Sequence, residues 1–213
     1  GPIGFVTSGS SPTPNFTVTG LTAGTIYTIY IRTSCGATDK SIYSTYQFVH
    51  APTPIPYTQA LEGANPAWML SNVSSLNKWV VGTAANNGGT KGMYVSNDNG
   101  VTNNYTISST TVVHAYKDFG IPLNISEITI GFDWRSLGES CCDYIRVWLV
   151  PSSFTPVVGT QITTANDRID LFGNMNMDAA FKRQQLIRNI ANYTGSFRIV
   201  FEWRNDGSVG TMP

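Results

Sequence analysis

The segment Ile125–Pro151, ISEITIGFDWRSLGESCCDYIRVWLVP, can be read on two faces at once, and that double pattern limits the fold more than any other part of the chain. In its first half Ile128, Ile130, Phe132 and Trp134 share one side, while Thr129, Gly131, Asp133 and Arg135 share the other, which is the period of two that a strand requires. In the second half Ile145, Val147 and Leu149 point one way and Tyr144, Arg146 and Trp148 the other. The segment reads as two antiparallel strands. One face of each is core. The opposite face carries Trp, Tyr, Arg and Asp where a solvated face would carry Thr, Ser and Lys, so that face is the first place to look for binding.

The rest of the chain extends this all-β pattern. In residues 1–50, FTVTGL (Phe16 to Leu21) and TIYTIYIRTSC (Thr25 to Cys35) read as strands separated by Ala23 and Gly24, and STYQFVHAP closes the segment. Ala51 to Thr58, APTPIPYT, reads as a stiff proline-rich linker or a first edge strand. Beyond it, strands are expected at Lys78 to Gly82, Gly92 to Ser96, Thr102 to Ile107, Ser126 to Arg135, Asp143 to Pro151, Phe181 to Ile187 and Ser196 to Arg204. Asn99-Gly100, between GMYVSND and VTNNYTI, is a strong hairpin dipeptide. The nearest approach to a helical period is Met177 to Arg188. Strands this numerous and short point to a jelly-roll β-sandwich.

Composition removes several function classes. Lys plus Arg and Asp plus Glu are 13 each, so no long-range field favours nucleic acid or an anionic membrane. Charged residues are 12% of the chain, about half the usual ~25%, with Thr, Ser, Asn and Gly in their place, as in extracellular β modules. No apolar run approaches the roughly 20 residues of a membrane span, so membrane insertion is not expected. Cys35, Cys141 and Cys142 form no zinc spacing and no paired framework. The adjacent Cys141 and Cys142 read as two thiols in a turn, because a bond between neighbours closes a small strained ring, and Cys35 stands alone at the end of a strand.

Two resemblances follow from particular residues. LTAGTIYTIYIR resembles the corner before the penultimate strand of fibronectin type III domains, which makes Tyr27 the corner tyrosine with its hydroxyl returned to upstream backbone. It covers the later half of such a domain, residues 1–50, with GPIGFV resembling the end of an earlier strand. From Pro56 onward, LEG (Leu61 to Gly63), KWVVGT (Lys78 to Thr83), MYVSNDNG (Met93 to Gly100), HAYKDFGIPL (His114 to Leu123), ITIGFDWRSLGES (Ile128 to Ser140), DYIRVWLVP (Asp143 to Pro151) and FRIVFEWRNDGSVGTMP (Phe197 to Pro213) resemble the jelly-roll modules of surface proteins secreted by gliding and related Bacteroidetes bacteria. Those modules are similar in layout to MAM domains and to the cleaved adhesin domains of secreted proteases. The resemblance implies a fibronectin type III remnant over 1–50, a linker over 51–57 and a jelly-roll module over 58–213 that lacks its last strand. It also implies a large modular protein exported by the type IX route to the cell surface or medium, with a role in adhesion or gliding motility.

Catalytic motifs are absent from the sequence: with His50 and His114 alone there is no HExxH, and no GxSxG elbow or phosphate-cradling glycine loop occurs. His114 reads as a strand histidine, and a glycosidase would have to find its two carboxylates among Asp133, Glu139, Asp143 and Glu202. A structural Ca2+ is the cofactor to consider, since the resembling jelly rolls often hold one near the start of the module. Glu62, Asn97 and Asp98 are its candidate ligands by position, set against a plain hairpin turn at Asn97 to Gly100. The polar sheet face gathers Tyr144, Arg146, Trp148 and Asp133, and Arg198, Glu202 and Arg204 join it because Phe197, Ile199, Phe201 and Trp203 alternate onto the core. Aromatic rings beside Arg and carboxylates suit sugar recognition. The same residues also suit a cross-strand ladder, with Asp133 pairing Arg146, Glu202 pairing a neighbouring Arg, and the aromatics packed over by a loop. Five Asn-x-Ser/Thr triplets, at Asn15, Asn72, Asn104, Asn124 and Asn192, are close to what chance supplies in a chain of this composition.

The leading expectation is a non-enzymatic adhesion or spacer segment of a large secreted surface protein, its partners being neighbouring modules of the same chain and surface glycans. The alternative is a carbohydrate-binding module attached to a secreted hydrolase.

Overall fold

The structure, a computed structural model, describes residues 9–13, 16–22, 25–36, 38–63 and 66–213. Among them every regular element is a strand, and no helix is long and apolar enough to cross a membrane. Gly1 to Val6 and the Ala23-Gly24 turn lie outside the described residues. β1 (Thr25–Ile31) pairs antiparallel with β2 (Ser44–His50), Tyr27 opposite Phe48. The Tyr27 hydroxyl accepts a hydrogen bond from the Thr22 N–H at 2.9 Å, the contact of a corner tyrosine. The strand expected at Phe16 to Leu21 does not form.

The main body is a two-layer sandwich. Its back layer is a five-stranded antiparallel sheet made of β3 (Met69–Ser71), β6 (Thr111–Gly120), β8 (Tyr144–Pro151), β9 (Ile169–Asp170) and β11 (Ser196–Asn205), in the order β3-β6-β11-β8-β9. Its front layer is two separate pairs: β4 (Lys78–Gly82) with β5 (Gly92–Ser96), and β7 (Glu127–Ser136) with β10 (Asp178–Asn189). Ile128, Ile130, Phe132 and Trp134 pack from the front on Val147, Leu149, Phe197 and Ile199 behind. Trp79, Met93 and Val95 pack on Val113, Ala115 and Trp203. Apolar burial of this kind, with Val113, Ala115, Val147 and Leu149 fully enclosed, is the dominant favourable term in holding two layers together.

This arrangement corrects the opening reading. β7 and β8 are strands where the alternation places them, yet they do not pair. β7 pairs with β10 in front and β8 with β11 and β9 behind. Alternation tells which face of a strand is apolar, and two strands satisfy it equally by pairing or by facing each other across the core. Here they face each other, so their polar faces look out on opposite sides of the molecule.

The strand expected at Phe181 to Ile187 does form, inside β10: Gln184 and Leu186 lie opposite Phe132 and Ile130 and alternate with exposed Arg183, Gln185 and Ile187, after an irregularity between Asp178 and Lys182 that blurs the period of two over Met177 to Arg188. Two further differences have local causes. Thr102 to Ile107 forms no strand. The buried Asn77 accepts from the Thr106 N–H at 2.7 Å and donates to the Thr106 carbonyl at 3.1 Å, and Asn205 donates to the Ile107 and Ser109 carbonyls, so side-chain amides stand where a partner strand would. β6 goes unread in sequence because most of it is buried on both faces and because His114 and Lys117 interrupt its apolar run.

Candidate functional site

The outward residues of β8 and β11 form a closed ladder. Trp148 is 1% exposed, Tyr144 3%, Arg198 8% and Glu202 0%. The loop after β8 lies over them, with Ile162 and Phe154 packed on Trp148, Val150 and Val200, and the Ile162 N–H donates to Glu202 at 2.7 Å. Glu202 Oε2 also meets His114 Nε2 at 3.2 Å. Arg146 donates to Asn174 at 2.7 Å, pairs with Asp170 at 3.5 Å and stacks on the Tyr144 ring at 4.9 Å. The Tyr144 hydroxyl accepts from Arg204 at 3.1 Å and from Gln161 at 2.8 Å. Arg198 grips Asp118 through two bonds of 2.6 and 2.9 Å and stacks on Tyr116 at 4.2 Å. Six of the seven residues assigned to a binding face are therefore brought together, but as a packed layer under a loop rather than an open groove.

Asp133 is the seventh, and it lies on the other side. It does not pair with Arg146; its oxygens take Arg183 Nη1 and Asn87 Nδ2, each at 3.3 Å. Around it the outward faces of β7 and β10 meet in register, Asp133 opposite Arg183 and Gly131 opposite Gln185. Arg135 stacks on Phe181 at 5.4 Å. At Gly131 the missing side chain leaves room for the Arg183 guanidinium, since a Cβ there would sit 2.9 Å from Nη2. The result is a solvent-facing strip of one carboxylate, two guanidiniums, two amides and an aromatic ring. An exposed ion pair of this sort contributes little stability, so it can exchange partners with a ligand at small cost. Sequence reasoning found Asp133 and Arg135 through the alternation of β7 and missed Phe181, Arg183 and Gln185, whose strand period is blurred.

The three candidate metal ligands serve separate turns. Glu62 accepts from the Thr90 and Lys91 N–H groups at 2.9 and 3.0 Å and from the Thr90 hydroxyl, which holds its carboxyl below the usual range. Asp98 accepts from Ser96 at 2.6 Å and from the Thr102 N–H and hydroxyl at 2.9 and 2.8 Å, and these bonds push its pKa down to about 2. Asn97 donates to the Thr106 hydroxyl at 3.2 Å. Asn99 and Gly100 both have positive φ, as the turn reading of Asn97 to Gly100 requires.

Among the described residues the acidic groups that do converge are Glu139, Asp143 and Asp206, at the corner between β7 and β8. Asp143 is fully buried and accepts from the Tyr105 hydroxyl at 2.6 Å and the Asp206 N–H at 3.1 Å. Burial, then the neighbouring carboxylates, raises Glu139; burial is also the main cause that raises Asp143. At the same corner Cys141 and Cys142 are joined by a disulfide, not left as two thiols, while Cys35 is free and exposed. Of the four carboxylates considered for glycoside cleavage, Glu202 is sealed beneath the β8–β11 loop and Asp133 is on the front face, so neither joins the corner pair.

No protein-family model matches the chain, and no curated protein matches it. Among solved structures it is similar to TmCBM61 in complex with β-1,4-galactotriose, at 14% identity and a TM-score of 0.38, over 68% of this chain and 82% of that one. The architecture given above is read from the strand pairing itself.

Proposed function

We propose that this chain is a non-catalytic module of a secreted or cell-surface protein, and that it binds glycan on the outward face of β7 and β10. The observation that carries the reading is the solvent-facing cluster of Asp133, Arg183 and Asn87 beside the Arg135–Phe181 stack. Sugars are recognised by hydrogen bonds to hydroxyls, strongest when donor or acceptor is charged, and by an aromatic ring against the apolar sugar face. This strip offers both without burying an uncompensated charge. Adhesion is then the role of the parent protein, with this module supplying contact. A pure spacer is the second reading, and it is favoured by the closed β8–β11 ladder, which leaves that side of the sandwich no open groove.

The test is a glycan-array screen of the parent, with β-1,4-galactotriose among the probes, followed by titration of Asp133→Ala. Glycan binding that falls at least about tenfold, equivalent to about 1.4 kcal/mol, with an unchanged melting temperature supports the reading. A parent that binds no glycan, or a variant that binds as well as the parent, overturns it in favour of the spacer.

A further inference from the structure

The outer face of β7 and β10 carries one charge that the fold itself does not use. Residues 131–136 of β7 and 178–185 of β10 hold two carboxylates, Asp133 and Asp178, against three cations, Arg135, Lys182 and Arg183. Asp133 takes Arg183 and Asn87, each at 3.3 Å, and Asp178 takes Lys182. Arg135 is left over. Among the described residues it has neither a carboxylate nor a hydrogen-bond acceptor, and its contact is with the Phe181 ring, 5.4 Å from the guanidinium carbon to the ring centre. The carboxylates of the neighbouring corner do not answer it. Burial chiefly raises Asp143, and the cation that acts against this is Arg204; Glu139 is raised by burial and by its acidic neighbours.

The stack also decides which part of Arg135 a ligand meets. Its Nε is buried without a partner, so the two Nη groups form the accessible edge of the guanidinium. That edge is a planar fork, which matches the two in-plane oxygens of a carboxylate and binds them through paired, charge-assisted hydrogen bonds. A tetrahedral sulfate ester fits the fork less well. Stacking on Phe181 already restricts the side chain, which lowers the ordering cost that binding would otherwise carry. Arg135 and Asp133 are two residues apart on one face of β7, about 7 Å along the strand. Asp133 does not repel an incoming anion, because Arg183 and Asn87 already hold its oxygens.

We propose that the glycan taken by this face is acidic, with a uronic acid unit whose carboxylate seats on the Nη edge of Arg135 while hydroxyls of the same or the next sugar meet Asp133 and Asn87. The inference rests on the glycan reading above and adds the class of sugar. One free cation calls for one anionic group, so a chain with a single uronate at the site suffices.

The experiment titrates the protein with glucuronate-containing oligosaccharides, each beside its carboxyl-reduced counterpart, in which glucuronate has become glucose. The acidic member of a pair is expected to bind at least about fivefold tighter than the neutral one, and Arg135→Gln should bring that ratio to about one. Both probes meet the same folded protein, so a variant that merely folds less well loses binding to both and keeps the ratio. Arg135→Lys, which keeps the charge without the fork, should retain only part of the preference. Equal or tighter binding of the neutral member overturns the proposal and leaves the glycan reading standing. A preference that survives Arg135→Gln overturns it too, as does a sulfated probe that binds tighter than the uronate. Binding of no array glycan, acidic or neutral, overturns both readings together.

Discussion

Lys117 is the residue whose charge this fold holds at clear cost. It is 2% exposed on the inner side of β6, its Nζ donates to the Ala67 carbonyl at 2.8 Å, and it lies 5.1 Å from the centre of the Tyr57 ring. Burial, partly offset by Asp118, brings its pKa from 10.5 down to about 8. The folded state thus releases a proton that the unfolded chain keeps, and between about pH 8 and 10 the unfolded state binds more protons, so stability rises with pH through that window. Buried Tyr57 and Tyr193, both pushed up to about 12, act in the opposite sense, above the ordinary tyrosine range. Urea melts of the parent should therefore show a rising midpoint from pH 8 to 9.5, and Lys117→Met should be more stable at pH 7 and lose the rise. A flat parent profile would show that the lysine is hydrated. Trp148, 1% exposed, belongs to the same scale: Trp148→Ala should cost about 3–5 kcal/mol in a denaturant melt while leaving glycan affinity of the folded fraction intact. Its side-chain type was legible in the sequence. Packing of its face under a loop was one of the two readings the sequence offered; the choice between them depends on the loop after β8, whose Phe154 and Ile162 show no periodicity.

At the scale of elements, β4 and β5 were legible to the residue, and β7, β8 and β11 to within one or two, since each is a run rich in β-branched and aromatic residues bounded by turn residues. Their partners were not legible. The corner between β7 and β8 decides that question, and it turns on Gly138, which has φ +83° and would bring a Cβ within 2.5 Å of the Asp143 carbonyl oxygen. An L side chain is strained there, and the neighbour it strikes is backbone that cannot move aside. Gly138→Ala should therefore destabilise by more than about 1 kcal/mol, read from thermal melting, and speed amide exchange at Asp143 and Thr211 before β6. An unaffected melt would mean that the corner adapts and that β7 and β8 are positioned by the core alone. The candidate strip followed the same logic. Asp133 and Arg135 came from a regular strand, whereas Phe181 and Arg183 came from one whose irregularity between Asp178 and Lys182 hides its period.

For the whole molecule, the split front layer and the closed back face give the two sides different work. Behind, Arg146, Arg198, Glu202 and the aromatics between them are consumed in holding a loop on the sheet. In front, Asp133, Arg183 and Asn87 remain in water. With 13 basic against 13 acidic residues, the proposed glycan binding would rest on local hydrogen bonding and stacking rather than long-range attraction. The proposed binding on the β7–β10 face is tested by chemical-shift mapping of the isotope-labelled protein during titration with the best array glycan. Perturbations are expected at residues 85–89, 131–135 and 181–185, with Tyr144 to Trp148 unmoved; perturbations centred on Tyr144 to Trp148, or on neither face, would overturn that assignment.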